Sequence, residues 1–95
     1  MPHMEPRAFY DVTAEEDRAE VAQFIKAGVF NYALLMPEDF PKGDLEDVFK
    51  RAGFAQVEVD ASQWPRRVVV KTERGAFRLE KVEEGVYKIA KENTF

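Results

Sequence analysis

Between Thr13 and Gly28 the apolar residues Ala14, Val21, Ala22, Phe24 and Ile25 fall on one face at helical spacing, with charged residues between them. This pattern predicts a helix over 13–27. Thr13 and Glu16 read as an S/T-x-x-E capping box, and Glu15, Glu16 and Asp17 place negative charge at the positive end of the helix dipole. Gly28 should stop the helix, because glycine takes the left-handed conformation that a helix C-terminus needs. A second helix takes Asp44 as its N-cap, puts Leu45, Val48, Phe49 and Ala52 on one face, carries Lys50 and Arg51 in its last turn and stops at Gly53. The same cap geometry pairs Val29 with Phe24 and Phe54 with Phe49.

Elsewhere the pattern shortens. Val29 to Met36 is apolar on both parities, interrupted by Asn31 and closed by Pro37 and Pro41, which predicts a central strand buried on both faces. Val57 and Val59 alternate with Glu58 and Asp60, and a loop follows over 61–65. Segments 66–73 and 76–82 predict a hairpin around Arg74-Gly75, with Val68, Val70 and Thr72 on the same face as Phe77 and Leu79. A second hairpin turns at Glu83-Glu84-Gly85 and sets Leu79 opposite Ile89 and Glu80 opposite Lys88.

The order α-β-α-β-β-β-β in 95 residues predicts a single α+β domain with loose ends at 1–8 and 92–95. The fold expected is a two-layer sandwich, a ferredoxin-like variant in which a mixed five-stranded sheet carries two helices on one face. A right-handed crossover through the second helix sets the first two strands parallel, and the remainder is an antiparallel meander. Apolar residues on the far face, Val69, Val82, Val86 and Ala90, call for a cover, supplied by the Phe9-Tyr10 segment or by a second copy; a homodimer is expected.

Composition changes the picture mainly by exclusion. Without cysteine there is no disulfide, thiolate zinc site or cysteine nucleophile. His3, the single histidine, reads as a solvated tail residue ahead of a natural start at Met4. No apolar run approaches the roughly 18 residues of a membrane span, and early acidic residues do not fit a secretory signal, so a cytoplasmic location is expected. Ser62, the single serine, has no histidine base near it. The five glycines, at 28, 43, 53, 75 and 85, match no phosphate-binding loop. Glu38, Asp39, Glu58 and Asp60 are the carboxylates from which a magnesium site could be built, but no pattern makes them converge. No cofactor and no metal are expected.

Charge is uneven. Residues 1–50 carry 5 Lys/Arg against 11 Asp/Glu, whereas residues 51–95 carry 9 against 7. On the meander, Arg67, Val69, Lys71, Arg78, Glu80, Val86, Lys88 and Ala90 share the parity opposite the core, either a solvated sheet face or a basic platform for an acidic partner, with Arg66 and Arg67 beside Trp64 as its strongest element. Trp64, beside Arg66 and Arg67, either closes the core or anchors a partner. The acidic first helix and the Glu38-Asp39 and Asp44-Glu46-Asp47 clusters either serve helix electrostatics or meet a basic partner.

Tyr32 to Val59 resembles the strand-helix-strand opening of an RNA-recognition motif, with Arg74-Gly75 similar to the start of its second signature. Ala76 and Arg78 then stand where its stacking aromatics belong, and a hairpin replaces its second helix. The resemblance is therefore set aside. What remains is a non-catalytic protein-interaction module, an adaptor or small inhibitor, whose partner surface takes in Trp64, Arg66, Arg67, Lys71, Arg78 and Lys88. Two alternatives stay open: nucleic-acid binding through Arg67, Lys71, Arg78 and Lys88, and an acidic nucleic-acid mimic that inhibits a nucleic-acid enzyme.

Overall fold

The computed structural model describes residues 6–92. They form β1 (Phe9–Asp11), α1 (Glu15–Ala27), β2 (Ala33–Leu35), α2 (Lys42–Arg51), β3 (Val57–Asp60), β4 (Arg67–Thr72), β5 (Gly75–Glu83) and β6 (Val86–Glu92). The architecture is α+β with a mixed sheet of six strands, not five, in the order β1-β2-β6-β5-β4-β3. The added strand is β1. Segment 9–11 does not fold over the far face as a cover; it pairs in parallel with β2 and sends Tyr10 into the core while Phe9 stays half-exposed on the far side. Residues 7 and 8, expected to be loose, are held by this pairing: the Arg7 N–H donates to the Tyr10 hydroxyl at 2.9 Å, and the Ala33 N–H to the Ala8 carbonyl at 2.9 Å. Glu92 closes β6. His3 lies outside the described residues.

The meander follows its alternation. Val68 faces Leu79 and Val70 faces Phe77 across β4 and β5, while Leu79 faces Ile89 and Glu80 faces Lys88 across β5 and β6. A bulge between Lys81 and Glu83 precedes the turn at Gly85, whose φ of 76° suits glycine alone. Val57 and Val59 then pack on the same core as these residues, so Glu58 and Asp60 point to the far face.

Three expectations are corrected. The segment from Val29 to Met36 gives only a three-residue strand, second from the edge; β6 and β5 hold the centre. Val29 is drawn off as the cap of α1, donating its N–H to the Phe24 carbonyl at 2.8 Å, and Phe30 turns aside to pack on Phe77. The parallel neighbours are joined through α1, not α2: β2 and β3 run the same way but have β6, β5 and β4 between them. Helix starts also differ. Thr13 gives its hydroxyl and its N–H to the Asp11 carboxylate, at 2.7 and 2.9 Å, so the capping box does not form and α1 begins at Glu15. Helix α2 begins at Lys42 behind Pro41, and Asp44 sits inside it, where Arg18 takes its carboxylate at 3.2 Å.

Both helix stops are as the glycines require. Gly28 and Gly53 have φ of 76° and 104°, and the Phe54 N–H reaches the Phe49 carbonyl at 3.3 Å. One apolar cluster joins the helices to the inner sheet face: Val21, Phe24, Ile25, Leu45, Val48 and Phe49 meet Tyr10, Leu34, Val68, Val70, Leu79 and Ile89. Truncating a side chain such as Phe49 in such a core costs about 3–5 kcal/mol. No described helix is long and apolar enough to cross a membrane.

Candidate functional site

The loop between β3 and β4 brings Trp64 onto Tyr87 of β6. The two rings stack with centroids 5.3 Å apart and 13° between planes, and Phe40 lies 4.8 Å from the indole on a tilted plane. Trp64 donates its indole N–H to the Glu38 carbonyl at 3.2 Å; the Tyr87 hydroxyl donates to the Pro65 carbonyl at 2.6 Å. Burial pushes the Tyr87 hydroxyl above its ordinary pKa, so it stays a donor at neutral pH. Trp64 is partly buried and packs against the core, as core closure requires, and it also walls an open groove.

That groove has a volume of about 560 Å³ and runs between the β2–α2 connection, Met36, Pro37 and Glu38, and the β5–β6 turn, Glu84 and Gly85, over Trp64, Pro65 and Tyr87. Its walls are apolar and aromatic; its rim carries two carboxylates. Glu84 reaches Lys81 at 3.2 Å, an exposed pair that holds little energy. Arg66 follows in the same loop and is exposed.

The other residues expected to bind a partner lie elsewhere. Strand register puts Arg67, Lys71, Arg78 and Lys88 on the far face of the sheet, away from the helices, with Glu58, Asp60, Glu80 and Glu92 among them. Arg67 and Arg78 both approach Glu80 at 2.9 Å, and Arg78 also meets Glu92 at 3.0 Å. On β3 to β6 this face has as many carboxylates as cations. It is a mixed-charge lattice, not a basic platform. Near β1 and the β5–β6 turn it becomes apolar, with Phe9 and Val82 50% and 56% exposed and Leu35 and Val86 half-buried beside them.

Glu15, Asp44 and Asp47 of the acidic clusters are occupied from within. Asp44 and Asp47 receive Arg18 at 3.2 and 3.0 Å, Asp47 also receives Arg51 at 2.9 Å, and Glu15 receives both arginines, so the clusters tie α1 to α2. The four carboxylates considered for a metal do not meet: Glu58 and Asp60 face outward on the edge strand β3, while Glu38 and Asp39 sit in the β2–α2 connection. Among the described residues no group of three or more carboxylates or histidines is placed to hold a metal ion. Asp60 is held below the ordinary carboxylate range by the Ser62 N–H, at 3.0 Å. Burial raises the Tyr32 hydroxyl above its usual pKa, and it finds no hydrogen-bond partner among the described residues.

A second depression, which sequence reasoning missed, lies at the other end of the strands. It is lined by Ile25, Phe30, Phe54 and Phe77 and rimmed by Lys26, Arg74 and Lys91. No signal local to the sequence joins these residues, because they come from both helix ends, a hairpin turn and the last strand. No family model matches the chain, and no curated protein or solved structure matches it either.

Proposed function

We propose that the protein is a non-catalytic interaction module, an adaptor or small inhibitor, which binds a partner protein in the groove beside Trp64. The observation that carries this reading is the pinned groove itself. Its aromatic wall is fixed by a ring stack and two hydrogen bonds to backbone carbonyls, so little ordering remains to be done on binding. Trp is enriched among interface hot spots, and the carboxylates of Glu38 and Glu84 favour a partner segment that pairs apolar side chains with positive charge. Trp64 is on this surface, with Arg66 exposed in the same loop outside the groove's lining; Arg67, Lys71, Arg78 and Lys88 are on the other face. The helices-on-one-side layering is read as a ferredoxin-like variant in its layers, not in its strand order. The reading includes a homodimer through the apolar strip at Phe9 and Val82.

The test compares proteins captured by the native chain and by a Glu38→Lys, Glu84→Lys variant, with and without nuclease. Both positions are exposed, so folding, followed by circular dichroism, should be unchanged. Loss of nuclease-resistant proteins from the variant supports the groove. Unchanged capture removes it, and loss of all capture after nuclease moves the function to nucleic acid. Light scattering on the same sample gives either twice the 11.0 kDa chain mass, as the homodimer requires, or the monomer mass, which rejects it.

A further inference from the structure

The depression at the helix ends has the chemistry of a ligand site, and it is independent of the groove. Gly28 and Gly53 stop α1 and α2 side by side, and the chain after each glycine folds back so that Phe30 and Phe54 pack on Phe77, with ring centroids 6.1 and 5.5 Å apart. These rings leave a cavity of about 310 Å³ with an apolar floor of Ile25, Ala52, Phe54 and Phe77. Its rim holds three cations, Lys26, Arg74 and Lys91, and no carboxylate. Among the described residues none of the three makes an ion pair, although ten of the eleven ion pairs found there involve an arginine. The Arg74 guanidinium lies 5.2 Å from the centre of the Phe54 ring. Glu73, its neighbour in the turn, is committed elsewhere: its carboxylate accepts the N–H groups of Ala55 and Gln56 at 2.9 and 3.0 Å.

A lysine at a helix C-terminus is ordinarily explained by the helix dipole, and Lys26 fits that account. Arg74 and Lys91 do not, because they come from the β4–β5 turn and from β6. Each helix end contributes roughly half a negative charge. Against three cations, two such ends leave about two positive charges over the cavity. That balance favours an anion, and the aromatic floor favours one with an apolar body.

We infer that this cavity binds a small organic carboxylate carrying an aromatic ring system, the head group held by Arg74, Lys26 and Lys91 and the rings laid on Phe30, Phe54 and Phe77. A cavity of about 150 Å³ accepts benzene, so the space here suits a two-ring body with its head at the rim. A guanidinium can meet both carboxylate oxygens at once, which makes Arg74 the main head-group contact.

The test titrates the full chain with 2-naphthoate and, in parallel, with neutral 2-naphthylmethanol, read by amide chemical shifts. A ligand of this size should bind the native chain with a dissociation constant on the order of 1 mM. The expected result is shifts at Phe30, Phe54, Phe77 and Lys91, with naphthoate bound about tenfold more tightly than the alcohol. The Arg74→Gln, Lys91→Gln variant should lose that preference and still bind the alcohol as the native chain does, an outcome that general loss of structure cannot produce. Equal affinity for acid and alcohol, shifts centred on Trp64, or no shifts at all in the native chain overturns the proposal.

Discussion

Two charge networks in this molecule are built from the same residue types and behave differently. Between the helices, Arg18 is only 13% exposed and spends its donors on the Val12 carbonyl at 3.0 Å, on Asp44 and Asp47, and on Glu15. On the far sheet face, Arg67 and Arg78 share Glu80 at similar distances, but all three side chains are 35–40% exposed. Ion-pair length does not favour the helix network, whose Arg18 contacts of 3.0–3.3 Å are longer than the 2.9 Å at Glu80. What differs is the arginine's own access to water: the carboxylates are about equally open in both networks, but removing Arg18 also takes the side-chain donor from the Val12 carbonyl beneath it.

The largest effect should therefore come from Arg18→Ala. With Arg18 gone, Asp44 and Asp47 repel as i,i+3 neighbours on one face of α2 and the Val12 carbonyl loses its donor, at a cost of about 1–2 kcal/mol in chemical denaturation. Arg51 would keep Asp47 and Glu15 partly compensated, which sets the loss below that of a fully buried pair. A loss under about 0.5 kcal/mol would place this network with ordinary surface pairs and erase the contrast.

The same contrast explains what could be read from the residues alone. The meander was legible because a period of two, interrupted by glycine at turns, fixes both face and register; Leu79 opposite Ile89 needs no knowledge of the rest of the fold. Strand β1 was not, since three residues carry almost no periodic signal and their pairing with β2 is set through α1, some twenty residues on. Thr13 and Asp44 fit local capping rules, yet Asp11 claims the first and Arg18 the second. At the candidate sites, Trp64 was visible as a solitary indole among arginines, but its carbonyl partner Glu38 and its stacking partner Tyr87 come from distant segments. The basic face was overstated because parity shows which residues share a surface and not that Glu80 sits between Arg67 and Arg78.

Acid sharpens the comparison at an intermediate scale, through carboxylates of a third kind that are fixed by backbone donors. Burial raises the Asp17 pKa, but the Asp11 N–H at 2.8 Å and the Arg7 guanidinium at 2.9 Å outweigh it and hold the group below its usual range. Glu73 is lowered by the N–H groups of Ala55 and Gln56. A carboxylate depressed on folding contributes stability above its unfolded pKa and loses it as pH falls through the folded value. Stability should thus be flat down to about pH 4.5 and decline below it, as these two groups take up protons. Asp17→Asn and Glu73→Gln together should flatten that decline in thermal melts taken between about pH 5 and 2; an undiminished slope would assign the acid sensitivity to Asp60, which the Ser62 N–H also holds low.

The smallest effect belongs to the far face, where Arg78→Ala should cost no more than about 0.5 kcal/mol although it removes contacts with both Glu80 and Glu92. Glu80 keeps Arg67 at 2.9 Å and has Lys88 directly opposite on β6, so the lattice can share out the charge that Arg78 leaves behind. Solvent reaches each of these groups, and added salt should shrink the effect further. A double-mutant cycle between Arg78 and Glu80 isolates the pair from the strand propensity lost with the side chain. If that coupling approached the loss seen at Arg18, the far face would be a structural network in its own right, and water access would not be what separates the two.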